Sequence, residues 1–162
     1  MNNNNLNFKN RYLSKVSWIT LNKNGLRKDS IRLNNQAVIY IYQYIKDKSK
    51  IYIGSTCNIN KRITLHRSSV KNGNRACPKF YNYIEKHGWD NFRLGILEYI
   101  KIYELNNKDK HEIKRVILDR EQYYLDILNP SLNINKAARS TLGYKHTEEK
   151  RKTKGLNGKV KV

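Results

Sequence analysis

The sequence predicts a small α/β domain in which a three-stranded antiparallel sheet is flanked by helices. Three observations support this prediction: two alternating apolar runs joined by a charged turn, a third apolar run at residues 92–100, and helical stripes between and after these runs. A chain of 162 residues is long enough to bury one modest hydrophobic core. We therefore expect one compact domain with additional segments at its ends.

A β-hairpin is predicted in residues 38–54, VIYIYQYIKDKSKIYIG, because alternating side chains flank a charged turn. One face of this hairpin, the isoleucine face, holds Ile39, Ile41, Ile51 and Ile53. The opposite face, the tyrosine face, holds Val38, Tyr40, Tyr42, Tyr52 and Gly54, with Tyr40 expected roughly opposite Tyr52. The isoleucine face is expected to pack inward as core, and the sequence pattern alone leaves open what the tyrosine face contacts.

The first helix is expected directly after the hairpin. Asn58 is a candidate N-cap, and Ile59, Ile63 and His66 follow it at helical spacing. Residues 68–78, SSVKNGNRACP, are polar and contain a glycine, which predicts a loop. This helix should therefore be short.

A second helix and a third strand follow the loop. Pro78 suits the first position of a helix, and Gly88 suits the position just past its end. Residues 92–100, FRLGILEYI, alternate as a strand does, and Gly95 is a candidate for a β-bulge. Together with the hairpin, this strand completes the predicted three-stranded sheet.

A third helix is predicted at residues 109–128, with Pro130 just beyond its end. Its apolar stripe consists of Ile113, Val116, Ile117, Tyr124 and Leu128. Glu121 falls on this inward stripe, where an unpaired carboxylate is energetically costly. It should therefore meet a cation, a metal ion or water, and a structural ion pair is the ordinary explanation.

The charge composition indicates a polyanionic partner. The chain has 33 Lys and Arg against 13 Asp and Glu, a net charge of +20. That is well above the charge of about 2 to 8 that is usual for the solubility of a small domain. The excess is spread over the chain, with +6 in residues 1–36, +8 in residues 37–136 and +6 in residues 137–162. Nucleic acid is therefore favoured over charge that serves solubility alone.

The cysteines and histidines form no zinc-binding motif. Cys57 and Cys77 lack the short paired spacing of zinc ligands, and the four histidines form no HxxxH or HxH pair. No apolar run approaches the roughly 20 residues of a membrane span, and the start of the chain, MNNNNLNFKNRY, lacks the apolar segment of a signal peptide. We expect a protein of a reducing compartment that is neither secreted nor membrane-inserted.

Several other polar residues have ordinary explanations when each is taken alone. Arg62 suits a surface cation, Tyr40 and Tyr52 suit aromatic packing on strands, and Asn133 suits a turn. Their order and spacing along the chain are more specific than any of these explanations.

Five separated elements resemble the GIY-YIG nuclease family over residues 37 to about 136. They are the VIY of residues 38–40, the YIG of residues 52–54, Arg62 with His66, Glu121, and Asn133. The glycine of the family's first motif is Val38 here; a glycine permits close backbone packing, and valine adds bulk. Residues 140–154, STLGYKHTEEKRKTK, resemble the start of a nuclease-associated modular DNA-binding repeat, as found in intron-encoded homing endonucleases.

The resemblance implies a DNA endonuclease of the intron-homing type that hydrolyses phosphodiester bonds with one Mg²⁺ ion and no small-molecule cofactor. By the family pattern, Glu121 holds the metal ion and Arg62 braces the scissile phosphate. Tyr40 and Tyr52 position or deprotonate the attacking water, with His66 assisting, and Asn133 hydrogen-bonds nearby. The tyrosine face is then expected to be the floor of the active site.

The predicted organisation has three parts: an Asn-rich basic N-terminal arm at residues 1–36, a GIY-YIG-like nuclease domain at residues 37–136, and a basic C-terminal tail with a partial DNA-binding repeat at residues 137–162. The resemblance implies that a monomer acts on double-stranded DNA. The candidate DNA contacts are Lys61, Arg75, Lys79, Lys145, Lys150, Arg151 and Lys152.

Two alternative functions stay open at this point. A catalytically decayed nucleic-acid-binding protein, such as an RNA-splicing helper, would keep the scaffold, and Val38 and the short tail favour it. A basic ribonucleoprotein component would need only the charge, which leaves Glu121 without a purpose. The wealth of Asn, Lys and Ile is typical of an A/T-rich genome. With the resemblance, it indicates an organelle-encoded protein of a fungal-type mitochondrion, with a phage or the bacterial cytoplasm as the alternative.

Overall fold

In the computed structural model, a four-stranded antiparallel sheet is covered by helices on both faces. The structure describes residues 9–27, 37–73, 76–101 and 109–138. The strands are β1 (Trp18–Thr20), β2 (Ala37–Tyr44), β3 (Ile51–Thr56) and β4 (Phe92–Ile100), in the order β1-β4-β2-β3. The helices are α1 (Ile59–Lys71), α2 (Pro78–His87) and α3 (Lys110–Leu128), and residues 9–13 are also helical. The α/β class and the antiparallel sheet are confirmed.

The prediction of three strands is wrong because β1, from the segment interpreted as an arm, adds a fourth strand beside β4. Trp18 pairs with Gly95, and Ile19 pairs with Leu94. Gly95 permits this close approach, since a side chain there would collide with Val16 and Trp18. The glycine thus marks a backbone contact between two strands.

The sequence predicted a β-bulge at Gly95, but the bulge of β4 lies at Leu97. Ile39 of β2 faces Glu98 of β4, and the next residue, Tyr40, faces Ile96. Leu97 is therefore the extra residue that has no partner in the ladder.

The hairpin has the predicted faces, but its register differs from the prediction by two residues. Tyr42, and not Tyr40, lies opposite Tyr52, and Tyr40 lies opposite Gly54. Because side chains alternate with a period of two, a shift of two residues keeps every side chain on its predicted face. The shift nevertheless decides which atoms meet, since it places the Tyr40 side chain beside a residue that has none.

Both faces of the sheet are buried. The isoleucine face packs on α3 and on helical residues 9–13, through Leu13, Ile117, Tyr124, Leu125 and Leu128. The tyrosine face packs on α1 and α2, through Ile59, Ile63, Phe80, Tyr81 and Ile84. Tyr40 and Tyr42 are 0% and 1% exposed. The tyrosine face is therefore largely a second core and does not form the open floor that the sequence suggested.

The helix ends follow the predicted signals. The Asn58 side chain caps α1 by accepting the Lys61 backbone N–H at 2.9 Å, and α1 continues to Lys71, through residues that were predicted as loop. Gly88 ends α2 with a positive φ of 79°, a conformation that favours glycine. Asp109 caps α3. None of the helices in the described ranges is long and apolar enough to cross a membrane.

Candidate active site

A cleft of about 1000 Å³ lies at the edge of the sheet formed by β3. Tyr52, Gly54 and Ser55 of β3 line it, together with Arg62 of α1 and Glu121 of α3. Alternation along β3 directs Tyr52 toward the α1 side and Ser55 toward the α3 side, so side chains from both faces of the sheet meet at this edge. Glu121 is the one carboxylate among the described residues that line the cleft.

The Glu121 carboxylate is half-buried and is held by a hydroxyl. Ser55 Oγ donates a hydrogen bond to Glu121 Oε2 at 2.5 Å. Burial raises the pKa of Glu121, and the Ser55 hydrogen bond and the Arg62 charge oppose this rise. Within the described part of the chain its direct partner is thus a hydroxyl, and not the cation that an ordinary structural ion pair requires.

The donor set of the cleft fits a metal ion that is also bound by substrate and water. In the described ranges, no three His, Cys, Asp or Glu side chains lie close enough together to hold a metal ion. Mg²⁺ is commonly bound through only one or two carboxylates, with waters and substrate phosphates as its other ligands. Glu121, with its carboxylate oriented by Ser55 in the cleft wall, fits this mode of binding.

Arg62 connects the cleft to a buried layer behind it. Its Nε–H donates to Tyr40 Oη at 3.0 Å. Tyr40 Oη lies 2.7 Å from His66 Nε2, and His66 Nδ1 lies 2.9 Å from Tyr81 Oη. Tyr40 and His66 are 0% and 1% exposed, so they support Arg62 from behind and do not line the cleft.

Burial keeps the groups of this layer neutral. It raises the pKa of Tyr40 to about 12, although the nearby Arg62 charge lowers it. Burial lowers the pKa of His66 to about 3, and the Arg62 charge lowers it further. Near pH 7 both side chains are therefore uncharged, and the Arg62 guanidinium is the charged group of the layer.

Tyr52 forms part of the cleft wall and is held by its neighbours. Its ring stacks on Phe80 with centroids 4.2 Å apart and an angle of 6° between the planes. Its hydroxyl lies 3.4 Å from Cys77 Sγ. Burial raises the pKa of Tyr52 well above its usual value. Tyr52 is thus a neutral, fixed hydroxyl at the cleft wall.

Asn133 lines the cleft and fixes β3 in place. Its Oδ1 accepts the Ile53 backbone N–H at 2.9 Å, and its Nδ2 donates to the Ile53 carbonyl at 2.8 Å. The backbone N–H of Leu132 donates to the carbonyl of Ile51 at 2.9 Å. The Asn133 amide therefore takes the place of a neighbouring strand at the edge where the cleft lies.

The structure gathers the predicted site residues into two layers. Tyr52, Arg62, Glu121 and Asn133 line the cleft, and Tyr40 and His66 lie behind Arg62. Among the predicted DNA contacts, Lys61 and Lys79 are exposed, and neither lines the cleft. The others lie outside the described residues: Arg75, Lys145, Lys150, Arg151 and Lys152.

Sequence reasoning missed four residues of this region. Ser55 follows the YIG run directly, and alternation alone would have directed it toward α3. Lys110 and Lys114 line the cleft; they precede Glu121 by 11 and 7 residues, which are nearly whole numbers of helical turns. Tyr81 gave no sequence signal, because its contact with His66 depends on the packing of α2 against α1.

Comparisons with known proteins identify the family to which this domain belongs. Residues 36–135 match the model of the GIY-YIG catalytic domain. The "Probable intron-encoded endonuclease 1" of Neurospora crassa is 32% identical over 132 residues, which are 80% of this chain and 40% of that protein. The chain therefore spans 40% of the length of this curated relative.

A solved structure supports the same assignment. A mutant of the catalytic domain of intron endonuclease I-TevI superposes with a TM-score of 0.51 and 25% sequence identity. The match covers 65% of this chain and 97% of that one. The predicted DNA-binding repeat at residues 140–154 lies outside the described residues. The resemblance to the nuclease family is confirmed, and the chain belongs to the GIY-YIG family, whose catalytic domain it carries at residues 36–135.

Proposed function

We propose that this protein is a metal-dependent DNA endonuclease of the intron-homing type that hydrolyses phosphodiester bonds. The observation that carries the proposal is that Arg62 and Glu121 line the same cleft, with Tyr52 in its wall. Phosphodiester hydrolysis needs positive charge at the phosphoryl oxygens and a ligand for a metal ion, and these two side chains meet both needs. Both relatives are named as intron endonucleases, which supports the homing type.

Arg62 is the residue that would bind the scissile phosphate. In hydrolysis, the oxygen of water forms a bond to phosphorus while the bond from phosphorus to one sugar oxygen breaks, so charge changes at the phosphoryl and leaving oxygens. Tyr40 engages Nε of Arg62, which leaves the two terminal nitrogens of the guanidinium to bind phosphate oxygens. The same Tyr40 contact restricts the plane in which they lie.

Glu121 would hold the metal ion, which we propose to be Mg²⁺. When bound, the cation supplies Lewis-acid stabilisation of the charge on the phosphoryl and leaving oxygens. Ser55 fixes one carboxylate oxygen of Glu121, so the orientation of the ligand does not depend on the metal ion. Burial raises the pKa of Glu121, which indicates that the ionised carboxylate lacks a full set of partners in the protein alone.

The proton of the attacking water also needs an acceptor. Tyr52 lines the cleft, and Tyr40 lies behind Arg62. With a pKa of about 12, ionising Tyr40 at pH 7 would cost about 7 kcal/mol. Passing the Tyr40 proton to His66 Nε2 would not avoid this cost, because it would charge a buried imidazole whose pKa is about 3. We therefore propose that Tyr52 positions the water as a neutral hydroxyl in the cleft wall and that Tyr40 acts through Arg62, while the proton of the water passes to solvent in the open cleft.

Cleavage of supercoiled plasmid DNA tests the proposal. We expect nicking with Mg²⁺ and none with a chelator, and we expect Glu121→Gln to reduce the rate at least a hundredfold while DNA affinity stays nearly unchanged. Cleavage that persists in the chelator, or a Glu121→Gln variant within a few-fold of wild type, would contradict the assignment of Glu121. DNA binding without any cleavage would instead support the catalytically decayed protein.

The proposed endonuclease has a predicted oligomeric state, DNA-contact surface and cellular location. We infer a monomer that contacts double-stranded DNA through Lys61, Lys79 and the basic segments beyond the described residues, which light scattering and deletion of residues 139–162 would test. The likeness to a fungal protein named as intron-encoded supports an organelle-encoded gene of a fungal-type mitochondrion. Sequencing of purified mitochondrial DNA from the source organism would contradict that location if the gene is absent.

A further inference from the structure

A chain of hydrogen bonds crosses the protein from the cleft to α2. It runs from Arg62 of α1 to Tyr40 of β2, back to His66 of α1, and on to Tyr81 of α2. The three donor–acceptor distances are 3.0, 2.7 and 2.9 Å. Each lies in the normal range for a strong hydrogen bond, so each group constrains the next.

The direction of the hydrogen bonds can be assigned from the end at Arg62. A guanidinium only donates, so Tyr40 Oη is an acceptor for Arg62 Nε–H. The single Tyr40 proton must then point elsewhere, and His66 Nε2 lies 2.7 Å away. If His66 Nε2 accepts this proton, the proton of the neutral imidazole is on Nδ1, where it donates to Tyr81 Oη.

Only one tautomer of the neutral imidazole gives the Tyr40 proton an acceptor. Burial lowers the pKa of His66 to about 3, so the ring carries one N–H near neutral pH. With that proton on Nε2, Tyr40 would face two donors, Arg62 and His66, and its own proton would lose its acceptor. Losing the partner of a buried polar group costs about 1 to 3 kcal/mol. The tautomer with its proton on Nδ1 is therefore favoured as long as Tyr81 accepts that proton.

We propose that Tyr81 is a positioning residue of the active site: by accepting the Nδ1–H of His66, it fixes the tautomer that makes Tyr40 a donor to His66 and an acceptor for Arg62. The inference rests on the proposed function where it concerns cleavage. Tyr81 is itself held, since it is buried at 3% exposure and has Ser69 as a further hydrogen-bond partner. α2 thereby contributes to the orientation of the phosphate-binding guanidinium without reaching the cleft.

The protein offers a matched control in Tyr44. Tyr44 Oη lies 3.2 Å from His87 Nδ1, which is the same kind of tyrosine–histidine contact between the sheet and α2. Tyr44 and His87 do not line the cleft, and neither belongs to the series of hydrogen bonds that links Arg62 to Tyr81. Tyr44→Phe thus removes an equivalent hydroxyl from the same core.

Nitrogen-15 NMR of histidine-labelled protein tests the inference directly. We expect His66, assigned with a His66→Gln variant, to carry its proton on Nδ1 in the wild type and in Tyr44→Phe, and to shift toward the Nε2–H tautomer in Tyr81→Phe. Single-turnover cleavage at saturating DNA should fall at least tenfold in Tyr81→Phe, with the DNA Kd unchanged, and should stay within twofold in Tyr44→Phe.

Several results would overturn the inference. They are an Nε2–H tautomer in the wild type, an unchanged Nδ1–H tautomer in Tyr81→Phe, or cleavage by Tyr81→Phe within twofold of wild type. If Tyr81→Phe does not fold, Tyr81→Gln serves in its place, because the glutamine side chain keeps a hydrogen-bond acceptor. His66 should then keep its proton on Nδ1, and an Nε2–H tautomer in Tyr81→Gln would also overturn the inference. If the wild type does not cleave, the proposed function fails, and the tautomer still decides the inference.

Discussion

The hydroxyl of Tyr40 occupies the space that a side chain on Gly54 would need. A Cβ atom at residue 54 would lie 2.5 Å from Tyr40 Oη and 2.7 Å from Tyr40 Cζ. The two residues are cross-strand partners in β2 and β3. Since Gly54 lines the cleft, the glycine of the YIG run allows a buried tyrosine hydroxyl to lie directly behind the cleft wall.

We therefore expect Gly54→Ala to disturb the site through Tyr40. Arg62 and His66 hold the Tyr40 hydroxyl, so it cannot move without losing a hydrogen bond. Overpacking of this kind costs about 1 to 3 kcal/mol. Urea unfolding should show that loss, and single-turnover cleavage should fall at least tenfold.

A double variant separates the steric effect from a general effect of the alanine. Adding Tyr40→Phe to Gly54→Ala removes the nearest clashing atom, so the double variant should lose less stability than the two single variants lose together, without recovering cleavage. A loss in the double variant equal to the sum of the two single losses would show that the contact with the hydroxyl is not the cause.

Tyr40 and Tyr42 allow a second comparison on the same strand and face. Both are fully buried, but the Tyr42 hydroxyl has no hydrogen-bond partner among the described residues, while Tyr40 has two. A buried hydroxyl without a partner costs about 1 to 3 kcal/mol. Tyr42→Phe should leave thermal stability unchanged or raised and cleavage within twofold, whereas Tyr40→Phe should lower both. Equal losses in the two variants would contradict the special position of Tyr40.

Local signals predicted much of the fold from the sequence. The Asn58 cap, the Pro78 start and the Gly88 stop each act within one helical turn, so the sequence carries them directly. Alternation predicted the faces of the hairpin, but it cannot distinguish two registers that differ by two residues. β1 was missed because a strand of three residues shows no period, and its place depends on the packing of Trp18 over Gly95.

Individual residues of the site could be predicted where the neighbouring sequence or the family motif marked them. Glu121 was found because a carboxylate on an apolar stripe needs an explanation, and the family motif supplied Arg62 and the two tyrosines. The exposure of the tyrosines could not be predicted, because it depends on how α1 and α2 cover the sheet. A pattern in one strand does not reveal which helix packs on it.

Val38 gives a prediction that differs from the one the motif suggests. The glycine of the family motif suggests that Val38→Gly would open the site, but Val38 is 0% exposed within the tyrosine-face core and does not line the cleft. Removing its side chain should cost about 2 to 4 kcal/mol through the cavity and the added backbone freedom. Thermal melts should show this loss, and cleavage below the melting range should stay within twofold. A variant that cleaves faster than wild type would show that valine obstructs the site.

Lys110 and Lys114 should form a track for the DNA backbone that leads to the cleft. They line it on the same side of α3 as Glu121, about 16 and about 10 Å from that residue along the helix axis. Replacing both with Gln should weaken binding about equally for all sequences and reduce the slope of log K against log salt by about 2. Binding is best measured in the Glu121→Gln background, where no cleavage interferes.

A matched pair of lysines serves as the control for this track. Lys46 and Lys48 lie exposed in the turn between β2 and β3 and do not line the cleft. Replacing both with Gln removes the same charge, so a general effect of net charge would appear equally in this variant. Equal salt slopes for the two double variants would refute the track.

His66 should make the free energy of unfolding depend on pH, and its contribution can be separated from that of the other titrating groups. Burial lowers the pKa of His66 to about 3, while the unfolded chain has a pKa near 6.5. Between these values the unfolded state binds a proton that the folded state does not, so stability is complete above about pH 6.5 and is lost as the pH falls toward 3. The loss should approach about 1.4 kcal/mol for each pH unit within that window.

Subtracting a variant isolates this contribution from those of Glu121 and the other carboxylates. We expect the free energy of unfolding of wild type minus that of His66→Gln to be constant above about pH 6.5 and to decrease steadily from pH 6 to pH 4. His111→Gln, at an exposed position of α3, controls for the substitution itself and should leave the wild-type slope unchanged. A difference between wild type and His66→Gln that stays constant down to pH 4 would mean that the folded protein accommodates a charged imidazole beside Arg62. The neutral hydrogen-bonded layer behind the cleft would then be wrong.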